Sequence, residues 1–104
     1  MLPARGNQVD PMKATVAGLI TPHVLLIADL AGQAEKGAKV DWHVRDAVAR
    51  TIRELGLQYN AQDLLASYVQ WLETAASEAG QAREAYARVL QAAAAAAREL
   101  RERE

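Results

Sequence analysis

The chain is predicted to be all-α: a small helical bundle or hairpin with a long C-terminal amphipathic helix able to form a coiled coil. Three observations predict this. Alanine dominates the apolar residues, which make up 51% of the 104 positions, and it has the highest helix propensity of any residue. Apolar positions recur at helical spacing from Asp41 onward. From Ala61 to Leu100 an apolar heptad pattern runs for more than five repeats. The chain lacks phenylalanine and has a modest set of Leu, Ile, Val, Tyr and Trp, so thin, close helix contacts are expected rather than a thick core. Its length is one domain's worth of material.

The first element is an irregular arm, Met1 to Asp10, with Pro3 and Gly6 as breakers. Asp10-Pro11 then reads as a helix start, because aspartate caps and proline suits the first helical position. Thr21-Pro22 repeats that signal, and proline disfavours helical geometry in the residue before it, so a kink or break is expected at Thr21. The following run, HVLLIADLAGQAEK, is apolar on nearly every side through Ala31, the mark of a helix enclosed by neighbours. Gly37 reads as its stop.

Asp41 opens the next helix, DWHVRDAVARTIREL. Val44, Val48, Ile52 and Leu55 form one stripe on it, while Arg45, Asp46, Arg50, Arg53 and Glu54 face water. Gly56 is expected to supply the left-handed residue that ends it, with Leu57 folding back on Ile52 as in a Schellman ending. The last helix starts with Asn60 as N-cap, Asp63 near the positive end, and Tyr59 opposite Leu64 as a hydrophobic staple.

With Leu65 at position a, the a positions are Leu65, Leu72, Ala79, Tyr86, Ala93 and Leu100, and the d positions include Tyr68, Ala75, Ala82, Val89 and Ala96. Leu65, Tyr68, Leu72, Ala75, Ala79, Ala82, Tyr86, Val89, Ala93 and Leu100 are therefore the predicted partner interface. In the first part the flanking e and g positions are also apolar (Leu64, Val69, Trp71, Ala76), so that face should bury against the two earlier helices. Further on Glu78, Arg83 and Glu99 enter the flanks and the seam narrows toward coiled-coil width, which implies a second partner.

Gly80 is the weak point, costing about 1 kcal/mol relative to alanine inside a helix. SEAGQ could end one helix and begin another, but the heptad phase passes through it without a skip, so continuity is favoured. A helix from Ala61 to Arg103 would be roughly 65 Å long, longer than a globule of this size is wide, and its distal half would need another subunit. Residues 11–79 are thus read as a helical core and 80–104 as a C-terminal helical extension continuous with it. In the tail, Arg98 with Glu102 and Glu99 with Arg103 are spaced as i,i+4 pairs.

Composition and motifs argue against chemistry. The formal charge is -1, from 12 basic and 13 acidic residues interleaved along the chain, so neither a phosphate-binding stripe nor an acidic tail is formed. There is no cysteine, hence no disulfide, thiolate zinc site or cysteine nucleophile. Asp41, His43 and Asp46 are the nearest approach to a metal cluster and read as a surface group; His23 reads as a partly buried structural histidine. GQAEKGAK, Gly32 to Lys39, departs from a phosphate loop because Ala38 separates the second glycine from the lysine and no strand precedes it. A helix-turn-helix reading is disfavoured because the would-be recognition helix has no arginine or lysine before Arg83. Trp42, Tyr59, Tyr68, Trp71 and Tyr86 lie on or beside the apolar faces and read as core or interface anchors. No enzyme, cofactor or metal is expected, and nucleic acid is an unfavoured partner.

The first dozen residues lack the apolar core of a cleavable signal. The longest apolar stretch, Ala14 to Ala28, is about 15 residues where spanning hydrocarbon takes about 20. A membrane contact through Val16 to Ala31 is therefore the unfavoured alternative, and a cytoplasmic or virion-associated location is expected.

The stretch AEKGAKVDWHVRDAVARTIRELGLQYNAQDLLASYVQWLETAASEA resembles the soluble C-terminal region of the LLH-type phage holins (superfamily 6). The resemblance rests on Lys36 and Lys39 in a loop, the Glu54-Leu55-Gly56-Leu57 turn, the polar start Asn60 to Asp63, and Leu72-Glu73-Thr74-Ala75. It covers under half of the chain, and the full membrane-spanning helix such proteins would carry is replaced by the short, proline-interrupted Ala14 to Ala28 run. The resemblance implies a small phage-related helical protein. The function expected is thus a non-enzymatic structural or assembly protein that oligomerises or docks on a helical partner through its C-terminal helix. A holin-like or peripheral membrane-active protein is the alternative, and a DNA-associated regulator the third reading.

Overall fold

A computed structural model describes residues 11–103, and every element among them is helical. The expected N-terminal arm lies outside the described residues. The helices are α1 (Pro11–Glu35), α2 (Asp41–Gly56), α3 (Ala61–Ala79) and α4 (Glu84–Arg103), with one turn of 3-10 helix, Gly80–Arg83, between the last two. The pairs His23–Thr51 and Glu73–Arg98 show α1 and α2, and α3 and α4, running antiparallel, and α4 packs against all three others.

α1 passes through Pro22 without the expected break. Pro22 cannot donate to the carbonyl of Gly18. It sits on the exposed side of α1, as does Gly18, while Ile20, Val24, Ile27 and Ala31 hold one buried stripe across the proline. The helix is not enclosed on every side, however: Leu25 and Leu26 are 58% and 42% exposed.

The end of α1 carries the Schellman geometry that the sequence suggested for the end of α2. Gly37 has φ 97°, Ala38 N–H donates to the carbonyl of Gln33 at 3.1 Å, and Gly37 N–H donates to that of Ala34 at 3.0 Å. At Gly56 the chain stays right-handed. Leu57 has φ -84° and ψ -8°, and the chain leaves the helix through short bonds from Leu57 to Glu54 and Gln58 to Leu55. Leu57 therefore never folds back on Ile52 and remains 83% exposed.

The stripe predicted on α2 is correct: Val44, Val48, Ile52 and Leu55 are all buried, and the five charged positions are exposed. α3 begins after Asn60 as expected, but its side chain makes no capping hydrogen bond, and Tyr59, exposed at the turn, does not staple Leu64.

The largest correction concerns Gly80. The chain is helical throughout Ala61–Arg103, but as a hairpin rather than a single rod. Arg98 pairs with Glu73 across α3 and α4 instead of with Glu102; on a straight helix these residues would lie about 37 Å apart. The longest dimension of the fold, 51 Å, is also too short for a rod of roughly 65 Å. Gly80 reverses the chain with φ 50° and ψ -143°, a conformation that a residue bearing Cβ rarely adopts. Arg83 secures the reversal by donating two hydrogen bonds to Glu35 on α1, at 2.9 and 2.6 Å, while its guanidinium lies 3.8 Å above the Tyr86 ring.

α4 is consequently part of the core and not an extension from it. Leu90, Ala93 and Ala97 are fully buried, with Ala87, Ala94 and Ala96 nearly so. The small side chains let the other helices approach α4 closely, and Leu90 is its one large fully buried group. The core closes with Ile27, Leu64, Leu72 and Tyr68.

Candidate partner-docking face

The fold spends most of the predicted interface inside the chain. Leu65, Tyr68, Leu72 and Ala93 are buried; Ala75, Ala79, Tyr86, Val89 and Leu100 are half-buried; Ala82, in the 3-10 turn, is exposed. Because the chain reverses at Gly80, these ten residues lie on two antiparallel helices and make no single stripe. On α4 the buried row is turned by about one position from the predicted seam, so that Leu90 and not Val89 fills the centre.

That rotation leaves Val89 and Leu100 at the border between α4 and α2, where two shallow hollows follow one another. The first, of about 370 Å³, is floored by Val40, Val44, Ala85, Val89 and Ala92, with Arg88 and Asp41 at its rim. The second, of about 360 Å³, lies among Trp42, Ala49, Ala96 and Leu100. Arg45 borders both. Trp42 is held at the surface by the first turn of α2, 65% exposed and stacked on the His43 ring at 4.3 Å. An indole this open beside leucine and alanine is costly to leave in water and favours a covering apolar surface.

The charges along this face are largely internal to each helix. Arg88 donates to Glu84 at 3.0 Å and Arg50 to Asp46 at 2.9 Å. Asp46 therefore faces Arg50 and not His43, and among the described residues no three His, Asp or Glu side chains are grouped to hold a metal. Arg45 has no ion-pair partner among the described residues.

A polar group lies in the core. Thr51 is buried and donates its only proton to the Ala47 carbonyl at 2.9 Å, so the 3.1 Å contact from His23 Nδ1 is a donation to the Thr51 oxygen. His23 Nε2 then faces Glu54 at 3.8 Å. The Tyr68 hydroxyl, fully buried beside Thr51, completes no hydrogen bond, and burial pushes it up to about 12. This group ties α1 to α2 and places His23 in the half-buried structural position expected for it. The sequence signal that was available, a threonine interrupting the α2 stripe, marks a polar core contact.

Three other apolar features are exposed among the described residues: the Leu57 and Tyr59 turn at one end of the bundle, Leu25 with Leu26 on α1, and Trp71 on α3, 36% exposed and so outside the buried face expected to hold it beside Leu64, Val69 and Ala76. Tyr59 is thus neither core nor staple. Among the described residues no helix is long and apolar enough to cross a membrane. In comparison with known proteins, the chain matches no family model, no curated protein and no solved structure.

Proposed function

We propose that the protein is a non-enzymatic helical assembly module that associates through the face shared by α2 and α4, with copies of itself in the first instance. The observation that carries this reading is Trp42, 65% exposed beside the apolar hollow of Ala49, Ala96 and Leu100. It keeps the C-terminal helix as the assembly element but moves the contact to its outer border. The holin-like resemblance of residues 34–79 fits a phage structural or accessory role, in the cytoplasm or the virion.

Analytical ultracentrifugation with tryptophan fluorescence tests it. In a Trp71→Phe background, association with rising concentration should shift Trp42 emission to the blue, and Trp42→Asp should abolish both effects. A chain that stays monomeric with unchanged emission at every concentration defeats the reading.

Leu25 and Leu26 favour a second reading, a peripheral membrane-active protein that lays the outer side of α1 in the lipid interface. It predicts co-flotation with liposomes that is lost on Leu26→Asp; a protein that stays at the bottom of the gradient excludes it. The nucleic-acid reading gains no comparable support, since Arg50 is already engaged by Asp46.

A further inference from the structure

We propose that two copies of the chain exchange α4: the hinge Gly80–Arg83 straightens, and α4 of one copy occupies on the other the surface of α1, α2 and α3 that it covers in the closed chain. The occupant is therefore a second copy. This shares with the proposed function the premise that α4 mediates assembly, but it uses the buried side of α4 and not its outer border.

The hinge carries the inference. From Ala61 to Arg103 no residue is non-helical, so the reversal depends on the torsions of Gly80 and one 3-10 turn. Straightening needs no unfolding of α3 or α4, and it replaces short 3-10 bonds by α-helical ones.

The residues around the hinge are better suited to the straight form. Ala79, Ala82 and Tyr86 continue the a and d positions through it, yet in the closed chain Ala82 is exposed and the other two are only half covered. In an exchanged pair, where two straight helices pass each other, these positions meet an apolar partner.

The surface that α4 leaves must be filled again. Leu64, Tyr68 and Leu72 share one core cluster with Leu90, Ala93 and Ala97 of α4, and a segment offering Leu90 among alanines in the same spacing restores it. A second α4 does so by identity, which is why exchange of an element between copies is a low-cost route to a dimer. Opposing it, the Arg83 bonds to Glu35 and the Tyr86 ring hold the closed hairpin. The closed chain is thus the resting form, and exchange proceeds through chains whose α4 has detached.

The chain has no cysteine, so single-cysteine variants report the exchange. Glu73→Cys and Arg98→Cys, at positions paired across α3 and α4, are unfolded together, refolded at high concentration and treated with a short bis-maleimide. The expected product joins one variant to the other, while neither alone gives it. Gly80→Ala should lower the dimer dissociation constant on the order of tenfold or more, since each dimer straightens two hinges. The added Cβ meets nothing within 4 Å, so the effect acts through the backbone. Inserting Gly-Ser-Gly after Gly80 should leave the chain monomeric.

Absence of the mixed product overturns the proposal, as does a Gly80→Ala chain that is helical and remains monomeric. If Gly80→Ala does not fold, the mixture with the native hinge decides alone. A dimer lacking the mixed product but dissociated by Trp42→Asp would end this proposal and leave the α2–α4 face standing. A mixed product indifferent to Trp42→Asp would do the reverse.

Discussion

Replacing Tyr68 by phenylalanine should stabilise the protein, and increasingly so in alkali. The ring of Tyr68 is fully buried and its hydroxyl has no hydrogen bond. A buried hydroxyl without a partner costs about 1–3 kcal/mol. Phenylalanine keeps the ring and removes that cost, so a gain of about 1 kcal/mol near neutral pH is expected, or a rise in Tm of roughly 4–5 °C for a chain of this length.

The pH dependence follows from the titration of the same group. Burial, opposed by the nearby Thr51 hydroxyl, raises Tyr68 from 10.0 to about 12 in the folded protein. The raised value belongs to a group that is neutral below it, so the folded state is fully favoured below the unfolded value of 10.0 and loses that advantage as the pH climbs toward about 12. The loss is on the order of 3 kcal/mol by the top of that window. Tyr68→Phe has no such proton to lose. Urea unfolding followed by circular dichroism on both proteins should therefore show a difference that is small and flat near neutrality and widens above about pH 10. A variant less stable by about 1 kcal/mol near neutrality would show that Tyr68 does bond Thr51 in the core. A constant difference across the alkaline range would refute the burial argument.

Leu90→Ala should cost about 3 kcal/mol and lower Tm by more than about 10 °C, because Leu90 is the one large fully buried group on α4; Val89→Ala, at a half-buried position, should cost about 1 kcal/mol or less. Thermal unfolding of the pair distinguishes the observed core from the predicted seam, and equal losses would contradict the rotation of α4. Leu57→Ser with Tyr59→Ser, at positions 83% and 86% exposed, should change stability by no more than about 0.5 kcal/mol; a loss above about 1 kcal/mol would restore the staple and the Schellman contact suggested by the sequence.

The parts of the fold that were legible are those where large apolar residues punctuate a polar background. Val44, Val48, Ile52 and Leu55 recur among arginines and acids, and only one helix orientation buries all four. The start at Ala61 was legible because Asn60 and Asp63 follow a glycine turn. Its details were not, since two glycines, Gly37 and Gly56, were both fit for a left-handed ending. Gly37 took it because the loop to Val40 must bring that residue into the core, whereas the tighter turn after Gly56 is made by right-handed residues. Pro22 misled for a related reason: its signal is local, and the buried stripe from Ile20 to Ala31 outweighs it.

Continuity through Gly80 failed because the residues that follow it on α4 do too little to fix a single phase. Between Ala92 and Ala97 every residue is alanine, and a run of alanine fits every register equally well. Only Tyr86, Val89, Leu90 and Leu100 could report the phase on α4, and these four support two stripes one position apart. The predicted stripe uses Val89; the structure uses Leu90, because the helix turns that larger side chain into the core when it folds back. The same ambiguity connects the hairpin with assembly. A helix whose register is set by so few side chains packs against its own α3 at little cost in specificity. In the proposed exchange it meets the α3 of another copy instead, and what separates the two outcomes is concentrated in the torsions of Gly80 and the hold of Arg83 on Glu35.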